Sequence, residues 1–224
     1  MGLTTPLHRD DPAKAPLVGN IKVTRQDWLD AAMDVLITDG VESVKILALA
    51  DRLNVSRSSF YWYFKDRADL LNALLDHWEG TNTAALVGQS NASAKTVTAA
   101  VCNVFRCVVN PALFDISLDF AVRDWARRSS DVRDVLLRSD ARRISALQAM
   151  FGRYGYKKTD ALIRARVFYY MQNGYNDADL KEPIEERMRV LPHYLFAFTG
   201  VQPQAQEIEE FRAYSIRVQN GAST

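Results

Sequence analysis

The spacing of apolar residues predicts a protein built from α-helices. Apolar residues recur three and four positions apart over most of the chain, which is the period of an amphipathic helix. The first such stretch holds Leu29, Ala32, Met33 and Leu36, and it ends near Gly40. No segment has the strict alternation of a half-buried strand, and no internal repeat is present. The pattern therefore predicts an all-α fold.

Polar residues mark where the first helices begin. Thr24 and Asp27 have the spacing of a capping box, with Asp in place of the usual Glu or Gln. Ser43 is the predicted N-cap of a second helix, whose short apolar stripe includes Leu49 and Leu53. Two helices are therefore predicted before residue 54.

The segment "LNVS" predicts a tight turn between the second helix and a third. Asn54 is one of the few residue types other than glycine that tolerates a left-handed backbone. Ser56 is placed to cap a short helix over 56–63. A longer helix is predicted from Arg67 to Trp78, so the segment predicts helix, turn and helix.

The remainder of the chain is predicted to be helical with one polar interruption. Residues 1–22 contain three prolines and no apolar period, which predicts a flexible arm. Residues 80–93 are polar and rich in small side chains, which predicts a loop. Further helices are predicted over 95–109, 111–127, 130–153, 158–175, 183–198 and 203–219.

Composition places the 224-residue chain among ordinary globular proteins, with 48% hydrophobic and 25% charged residues. Its net charge of +1 does not indicate nucleic-acid binding, so evidence for such binding must come from the charge of a particular segment. No apolar run is long enough to span a bilayer, and the first residues lack an apolar signal core. We therefore expect a cytoplasmic protein without a membrane partner.

The sequence lacks the motifs of the common enzyme classes. It has no glycine-rich phosphate loop, no nucleophile motif and no cluster of histidines and cysteines with metal-binding spacing. We therefore predict no enzymatic activity, no cofactor and no metal site. Cys102 and Cys107 are predicted to be two buried, reduced thiols. The alternating charges over 120–143 are typical of a solvated helix face.

The stretch "SRSSFYWYFKDR" places five consecutive aromatic rings between basic residues. If it forms a helix, Arg57, Ser58 and Tyr61 fall within an arc of about 100°. Phe60 then turns toward the preceding helix. A cation, a hydroxyl and a phenol on one exposed face suit the major groove of DNA, where arginine pairs with guanine. The stretch is therefore predicted to be a recognition helix.

Two further properties of this region bear on DNA binding. Residues 45–67 contain five basic and two acidic residues, a net charge of +3. The charges flank the predicted recognition helix, where the phosphates of a duplex would lie. Trp62 and Phe64 are predicted to be core residues that join the third helix to the fourth.

The segment "LALADRLNVSRSSFYWYFKDRADLL" resembles the N-terminal signature of the TetR family of transcriptional regulators, and the resemblance covers about residues 24–75. It implies a helix-turn-helix DNA-binding domain over 23–68 and a helical effector-binding and dimerisation domain over 69–224. It also implies a ligand-responsive regulator, most often a repressor, that a small molecule releases from a palindromic operator.

The resemblance implies two groups of DNA contacts. Two residues match positions that face bases: Arg57 and Ser58. Five match positions at or near phosphates: Lys45, Ser59, Tyr61, Tyr63 and Arg67. Three positions depart from the usual glycine, histidine and lysine of the family: Asn54, Tyr63 and Arg67.

A homodimer is expected because one short recognition helix contacts only a few base pairs. Two half-sites must then lie about 34 Å apart, or a multiple of that distance. By resemblance, the dimer helices are those over 158–175 and 183–198. One stripe of the first contains Leu162, Ala165, Tyr169 and Gln172. Pro192 is expected to kink the second helix or end it early.

The predicted effector site rests on aromatic and polar residues of the second half. The candidate ligand-binding residues are Phe105, Phe120, Trp125, Tyr169 and Gln172. Packing in the core is the alternative role for most of these rings. For the whole protein, the rival hypothesis is a helical adaptor that binds another protein and no DNA. Reversing the charge of Arg57 or Arg67 distinguishes the two, because only a DNA-binding protein loses affinity for DNA.

Overall fold

The computed structural model describes residues 23–180 and 182–221, and the predicted arm over 1–22 lies outside this range. The described residues contain helices and no strand, which confirms the all-α prediction. The helices are α1 Arg25–Asp39, α2 Ile46–Arg52, α3 Arg57–Phe60, α4 Arg67–Trp78, α5 Ala84–Asn91, α6 Val97–Val109, α7 Ile116–Arg128, α8 Ser130–Arg153, α9 Lys158–Ala178, α10 Ile184–Thr199 and α11 Ala205–Gln219.

The start of α1 is fixed by the predicted capping box. The Asp27 amide donates to the Thr24 hydroxyl at 3.2 Å, and the Thr24 amide donates to the Asp27 carboxylate at 2.6 Å. Hydrogen bonds from the side chain and the backbone of Thr24 lower the pKa of Asp27. The helix ends at Gly40, whose φ of 79° favours glycine. Both ends agree with the sequence prediction.

The second helix begins later than predicted. Ser43 lies in a short 3-10 turn, Val41–Ser43, and its hydroxyl donates to the carbonyl of Asp39. It does not cap α2, and Lys45 occupies the N-cap position without a side-chain hydrogen bond. The prediction of a Ser43 cap was wrong because this hydroxyl instead satisfies a carbonyl at the end of α1.

Asn54 has the predicted left-handed backbone, with φ of 54°. We expect Asn54→Val to lower the free energy of unfolding by about 1–2 kcal/mol, because a β-branched side chain is strained in this conformation. Asn54→Gly is the matched control and keeps or slightly raises stability. Urea unfolding of both variants tests this, and a valine variant as stable as the glycine variant would contradict it.

The polar segment predicted as a loop is instead helical. A π-helical turn, Glu79–Thr83, joins α4 to α5, and the backbone stays helical on both sides of it. The side chain of Asn82 is buried, and its polar groups are satisfied there. It donates to the carbonyl of Asp115 and accepts from the backbone amide of Asp115. The loop prediction was wrong because tertiary hydrogen bonds satisfy these polar groups inside the protein.

The buried side chains form two clusters. The first contains the core of α1 to α4 together with residues from α7 and the start of α8. The second lies between α5, α6, α9, α10, α11 and the end of α8. The N-terminal helices therefore share a core with α7, which places α7 between the two parts of the fold.

Helix α7 begins later than predicted, and helix α10, which was predicted over 183–198, is not ended early by its proline. Helix α7 begins at Ile116 rather than at residue 111, because the carboxylate of Asp115 accepts from the amide of Leu118 at 2.9 Å and caps it. Helix α10 continues through Pro192 to Thr199. The predicted early end of α10 was wrong, since one missing backbone donor does not end a helix whose apolar face is buried.

Two further predictions concern the state of the cysteines and the absence of a membrane-spanning segment. Cys102 and Cys107 are buried and free, as predicted. Burial raises the pKa of each thiol to about 12, so both are protonated and unreactive at neutral pH. Across the residues that the structure describes, no helix is long and apolar enough to cross a membrane.

Candidate nucleic-acid interface

Helices α2 and α3 form a helix-turn-helix around the left-handed residue Asn54. Helix α3 is only one turn long, Arg57–Phe60, and further turns continue to Tyr63. It is therefore shorter than the predicted helix over 56–63. The Phe60 ring is fully buried and contacts the ring of Trp28 edge to face, with 5.2 Å between centroids.

A second ring helps to hold α3 in place. Phe64 is buried and stacks on Phe60, with 5.5 Å between the centroids. The guanidinium of Arg25 lies 4.8 Å from the centre of the Phe64 ring. These contacts anchor α3 from its inner side, as the sequence pattern predicted for Phe60 and Phe64, and leave its outer side free.

The outer side of α3 carries the predicted base-contacting groups. Arg57, Ser58 and Tyr61 are all exposed, and half of the Tyr61 residue is accessible at 49%. The Arg57 guanidinium donates to the Tyr61 hydroxyl at 3.2 Å, so the two groups lie side by side. The structure therefore brings a cation, a hydroxyl and a phenol together on one surface. Contact with bases stays a prediction.

Lys45 and Ser59 occupy different positions relative to this surface. Lys45 is exposed at the start of α2. Ser59 is half-buried, and its hydroxyl donates to the carbonyl of Ser56 at 2.7 Å. Lys45 is thus free to approach a phosphate, whereas the Ser59 hydroxyl is engaged at the start of α3. Both phosphate contacts stay predictions.

Tyr63 and Arg67 are used within the domain. The Tyr63 hydroxyl donates to the carbonyl of Val23 at 2.6 Å. Arg67 donates from Nε to the carbonyl of Val44 and from Nη2 to the carbonyl of Val41, each at 2.6 Å. These bonds tie α3 and α4 to the segments around α1. Their predicted phosphate contacts are untested, and the bonds show a structural role for both side chains.

Trp62 lies on the surface, with 77% of the residue exposed. The prediction that it packs in the core was wrong. Phe60 and Phe64, which are four residues apart, take the two inward positions, so the residue midway between them projects outward. Sequence reasoning missed Trp62 as a surface candidate beside Tyr61, although this spacing of two phenylalanines was a usable signal.

The residues that build the helix-turn-helix also match a known protein family. Residues 29–74, from α1 into α4, match the profile of the family "Bacterial regulatory proteins, tetR family". Residues 29–74 therefore carry the TetR-family signature. The match confirms the resemblance found in the sequence.

Curated relatives also match the chain over a short stretch. The chain is 35% identical over 54 residues to the uncharacterized HTH-type transcriptional regulator TtgW of Pseudomonas putida. It is 38% identical over 56 residues to the HTH-type transcriptional regulator AcrR of Shigella flexneri. The matches cover 24% and 25% of this chain, and only 40% and 25% of the length of those proteins.

Solved structures resemble this chain over nearly its whole length. AmtR of Mycobacterium smegmatis superposes with a TM-score of 0.60 at 19% identity, covering 92% of this chain and 98% of that one. GusR of Salmonella enterica superposes with a TM-score of 0.56 at 13% identity, covering 91% and 98%. At such low identity these likenesses establish the fold alone.

The five predicted effector residues do not lie around one site. Phe105 and Gln172 line a cavity between α6, α9, α10 and α11. Trp125 belongs to the first core cluster, and Phe120 is half-buried on α7. Tyr169 is buried with its hydroxyl in a network of charged groups. Their ligand contacts stay predictions.

A network of charged groups is centred on the buried carboxylate of Asp119. Trp78 Nε1 donates to it at 2.8 Å, Arg123 Nε donates at 2.9 Å, and Arg143 Nη1 lies 2.9 Å away. Burial alone would raise the pKa of Asp119, but the charges of Arg143 and Arg123 lower it below its ordinary value. The prediction of a solvated face over 120–143 was wrong for Arg123 and Arg143, because their charges are neutralised by Asp119 inside the protein.

The network extends from α7 to α9 through Tyr169. Its hydroxyl donates to Asp140 at 2.7 Å and accepts from Arg123 Nη2 at 2.8 Å. Burial raises the pKa of Tyr169 to about 12, so the hydroxyl stays protonated at neutral pH. Charged and polar contacts thus connect α4, which follows the helix-turn-helix, with α7, α8 and α9. Within the described ranges, no group of three or more histidine, cysteine or acidic residues is placed to hold a metal ion.

Proposed function

We propose that the chain is a DNA-binding transcriptional regulator of the TetR type, a repressor that binds a palindromic operator as a homodimer and is released by a small molecule. Residues 23–68 form the DNA-binding domain, and residues 69–224 bind the effector and a second copy of the chain. The protein acts in the cytoplasm on double-stranded DNA and uses no cofactor.

The exposed outer side of α3 carries this proposal. Arg57 and Tyr61 point to solvent together while Phe60 and Phe64 hold the helix from behind. Arginine recognises guanine with two hydrogen bonds in the major groove, and a phenol reaches a phosphate or a thymine methyl group. In this proposal Lys45 and Trp62 lie at the edges of the same surface, where the sugar-phosphate backbone would run.

Selection of bound DNA from a random pool tests the proposed function. The full chain is expected to enrich a palindrome whose half-sites lie one helical turn or a multiple of it apart. Candidate small molecules are then added to the complex with the enriched DNA, and release is measured. A pool that yields no palindromic consensus would count against the proposal and favour the adaptor hypothesis.

The proposed dimer surface lies on α9 and α10, which pack against each other. The stripe predicted from sequence faces inward, since Ala165 and Tyr169 are buried within the chain. A neighbouring stripe is exposed instead: Ile163, Val167 and Tyr170 lie four and three residues apart on α9, with half or more of each residue accessible. Such an apolar stripe on paired helices suits a four-helix bundle between two copies.

We expect Val167→Glu to weaken the dimer by about 100-fold or more, because a carboxylate would be buried against apolar groups of the second copy. Sedimentation of the purified chain over a range of concentrations measures the dimer dissociation constant. Leu137→Glu is the matched control, since Leu137 is a comparably exposed apolar residue on α8. A Val167→Glu chain that stays as dimeric as the Leu137→Glu chain would refute this surface.

A further inference from the structure

The cavity between α6, α9, α10 and α11 has the lining of a small-molecule site. The empty space within it, together with its opening to solvent, amounts to about 480 Å³. Ligand sites in proteins are concave and lined mainly by apolar side chains, with a few polar groups that orient the ligand. The apolar lining includes Phe105, Val108, Met171, Met188, Leu191 and Phe211. A slender apolar molecule would therefore find aliphatic and aromatic contacts on several sides.

The polar lining of the cavity has one sign of charge. Among the described residues that border it, Arg187 is charged and none carries a carboxylate. Gln172 donates to the side-chain oxygen of Asn176 at 2.8 Å, and the Tyr175 hydroxyl donates to Glu182. Both groups are thus engaged with neighbours, which leaves the guanidinium of Arg187 as the charged group available to a ligand, with the Tyr194 hydroxyl also at the lining.

Arg187 differs from Arg164 and Arg189, two other arginines of α9 and α10, in its contacts. Its guanidinium lies 6.0 Å from the centre of the Tyr175 ring, and no ion pair within the described residues involves it. Arg189, two residues along the same helix, pairs with Glu186, and Arg164 pairs with Asp160 at 3.1 Å. Arg187 is half-buried at an apolar cavity whose own lining has no carboxylate, and Glu182 borders an adjoining pocket that Arg187 also lines. A guanidinium in that setting binds an anion more strongly than an exposed one does.

We propose that this cavity binds an apolar molecule that carries one carboxylate, with the carboxylate on Arg187 and the apolar part between Phe105, Leu191 and Phe211. The inference rests on the proposal that the helical domain holds the effector site, and it names the class of effector. A cationic amphiphile is disfavoured because the lining would place its charge beside Arg187. A neutral amphiphile loses the charge-assisted hydrogen bonds.

Isothermal titration calorimetry on the full chain tests this with octanoate, 1-octanol and octylamine, which share one apolar tail. Hexanoate to dodecanoate extend the series so that the tail length matches the cavity. The best carboxylate is expected to bind at least tenfold more tightly than the alcohol and the amine of equal length. A hydrogen bond to a charged group contributes about 1.5–3 kcal/mol, a factor of roughly 10 to 100.

Two variants assign the binding to this cavity. Arg187→Gln is expected to weaken carboxylate binding about tenfold or more and to leave alcohol binding unchanged. Arg189→Gln is the matched control on the same helix and leaves both unchanged, since its side chain is 70% exposed. Val108→Phe narrows the cavity and is expected to weaken the carboxylate and the alcohol alike.

Three results would overturn the inference: no carboxylate of the series binds, the amine or the alcohol binds as tightly, or Arg187→Gln behaves like Arg189→Gln. The selection experiment keeps this failure separate from failure of the proposed function. Enrichment of a palindrome without carboxylate binding would reject the effector class and keep the regulator. Carboxylate binding without any enriched DNA would keep this site and reject the regulator.

Discussion

Arg57→Ala is expected to lower the affinity for the selected operator by about 30-fold to 20,000-fold. A bidentate contact of arginine with guanine contributes about 1–3 kcal/mol, and a dimer makes the contact twice. Each 1.4 kcal/mol corresponds to a factor of ten in the dissociation constant. Binding of fluorescently labelled operator at fixed salt concentration measures the loss. The variant should also lose preference at one base pair of each half-site.

Two control variants separate base contact from general charge. Arg128→Ala removes an exposed guanidinium on α7, 65% accessible and paired with Asp124, and is expected to leave affinity unchanged. Lys45→Ala is expected to weaken binding to all sequences alike and to reduce the salt dependence, as loss of a phosphate contact does. An Arg57→Ala chain that binds like the Arg128→Ala chain would reject α3 as the recognition helix.

Asp119→Asn is expected to lower the free energy of unfolding by about 3–5 kcal/mol, because it leaves the guanidinium of Arg143 buried without its counter-charge. Arg143 is 0% exposed and the Asp119 side chain only 3%. For a chain of this size, such a loss corresponds to a fall of roughly 6–20 °C in the melting temperature. Differential scanning calorimetry measures it. Asp124→Asn is the matched control and should change stability by less than about 1 kcal/mol, because its pair with Arg128 is exposed.

The difference in the free energy of unfolding between the wild type and Asp119→Asn is expected to depend on pH in one direction. Burial opposes ionisation of Asp119, but Arg143 and Arg123 hold its pKa below the ordinary value of 3.8. The carboxylate therefore adds stability above the pKa of the unfolded chain, and this contribution is lost as the pH falls toward the folded-state pKa. The advantage of the wild type over Asp119→Asn is thus expected to be constant near neutral pH and to shrink below about pH 4. An advantage that grows in acid would contradict the network.

The N-terminal domain was largely predictable because its signals are local. The capping box of Thr24 and Asp27 uses neighbouring backbone groups, and the left-handed turn at Asn54 follows from one residue type. The inward direction of Phe60 followed from helical period alone. Trp62 was predicted wrongly although it lies midway between Phe60 and Phe64, whose four-residue spacing directs both rings inward and Trp62 outward.

The second half was less predictable because its polar groups are satisfied across the fold. Arg143 and Asp119 are 24 positions apart, and nothing near either residue in the sequence indicates the pair. The same holds for Asn82, whose partner is the backbone of Asp115. Effector residues chosen by aromatic character alone included Trp125, which packs in the first core. The cavity forms only when α6, α9, α10 and α11 are assembled, and its Arg187 has no motif around it.

The most direct test of α3 as a major-groove recognition helix is methylation interference on the selected operator. Methylation of guanine N7 blocks the major groove, whereas methylation of adenine N3 blocks the minor groove. The full chain is expected to show two clusters of guanine interference, one per half-site and about one helical turn or a multiple of it apart. In the Arg57→Ala chain, each of the two clusters should lose interference at one guanine. Interference confined to adenine N3, or guanine interference identical in the wild type and Arg57→Ala, would contradict the placement of Arg57 and Tyr61 in the groove.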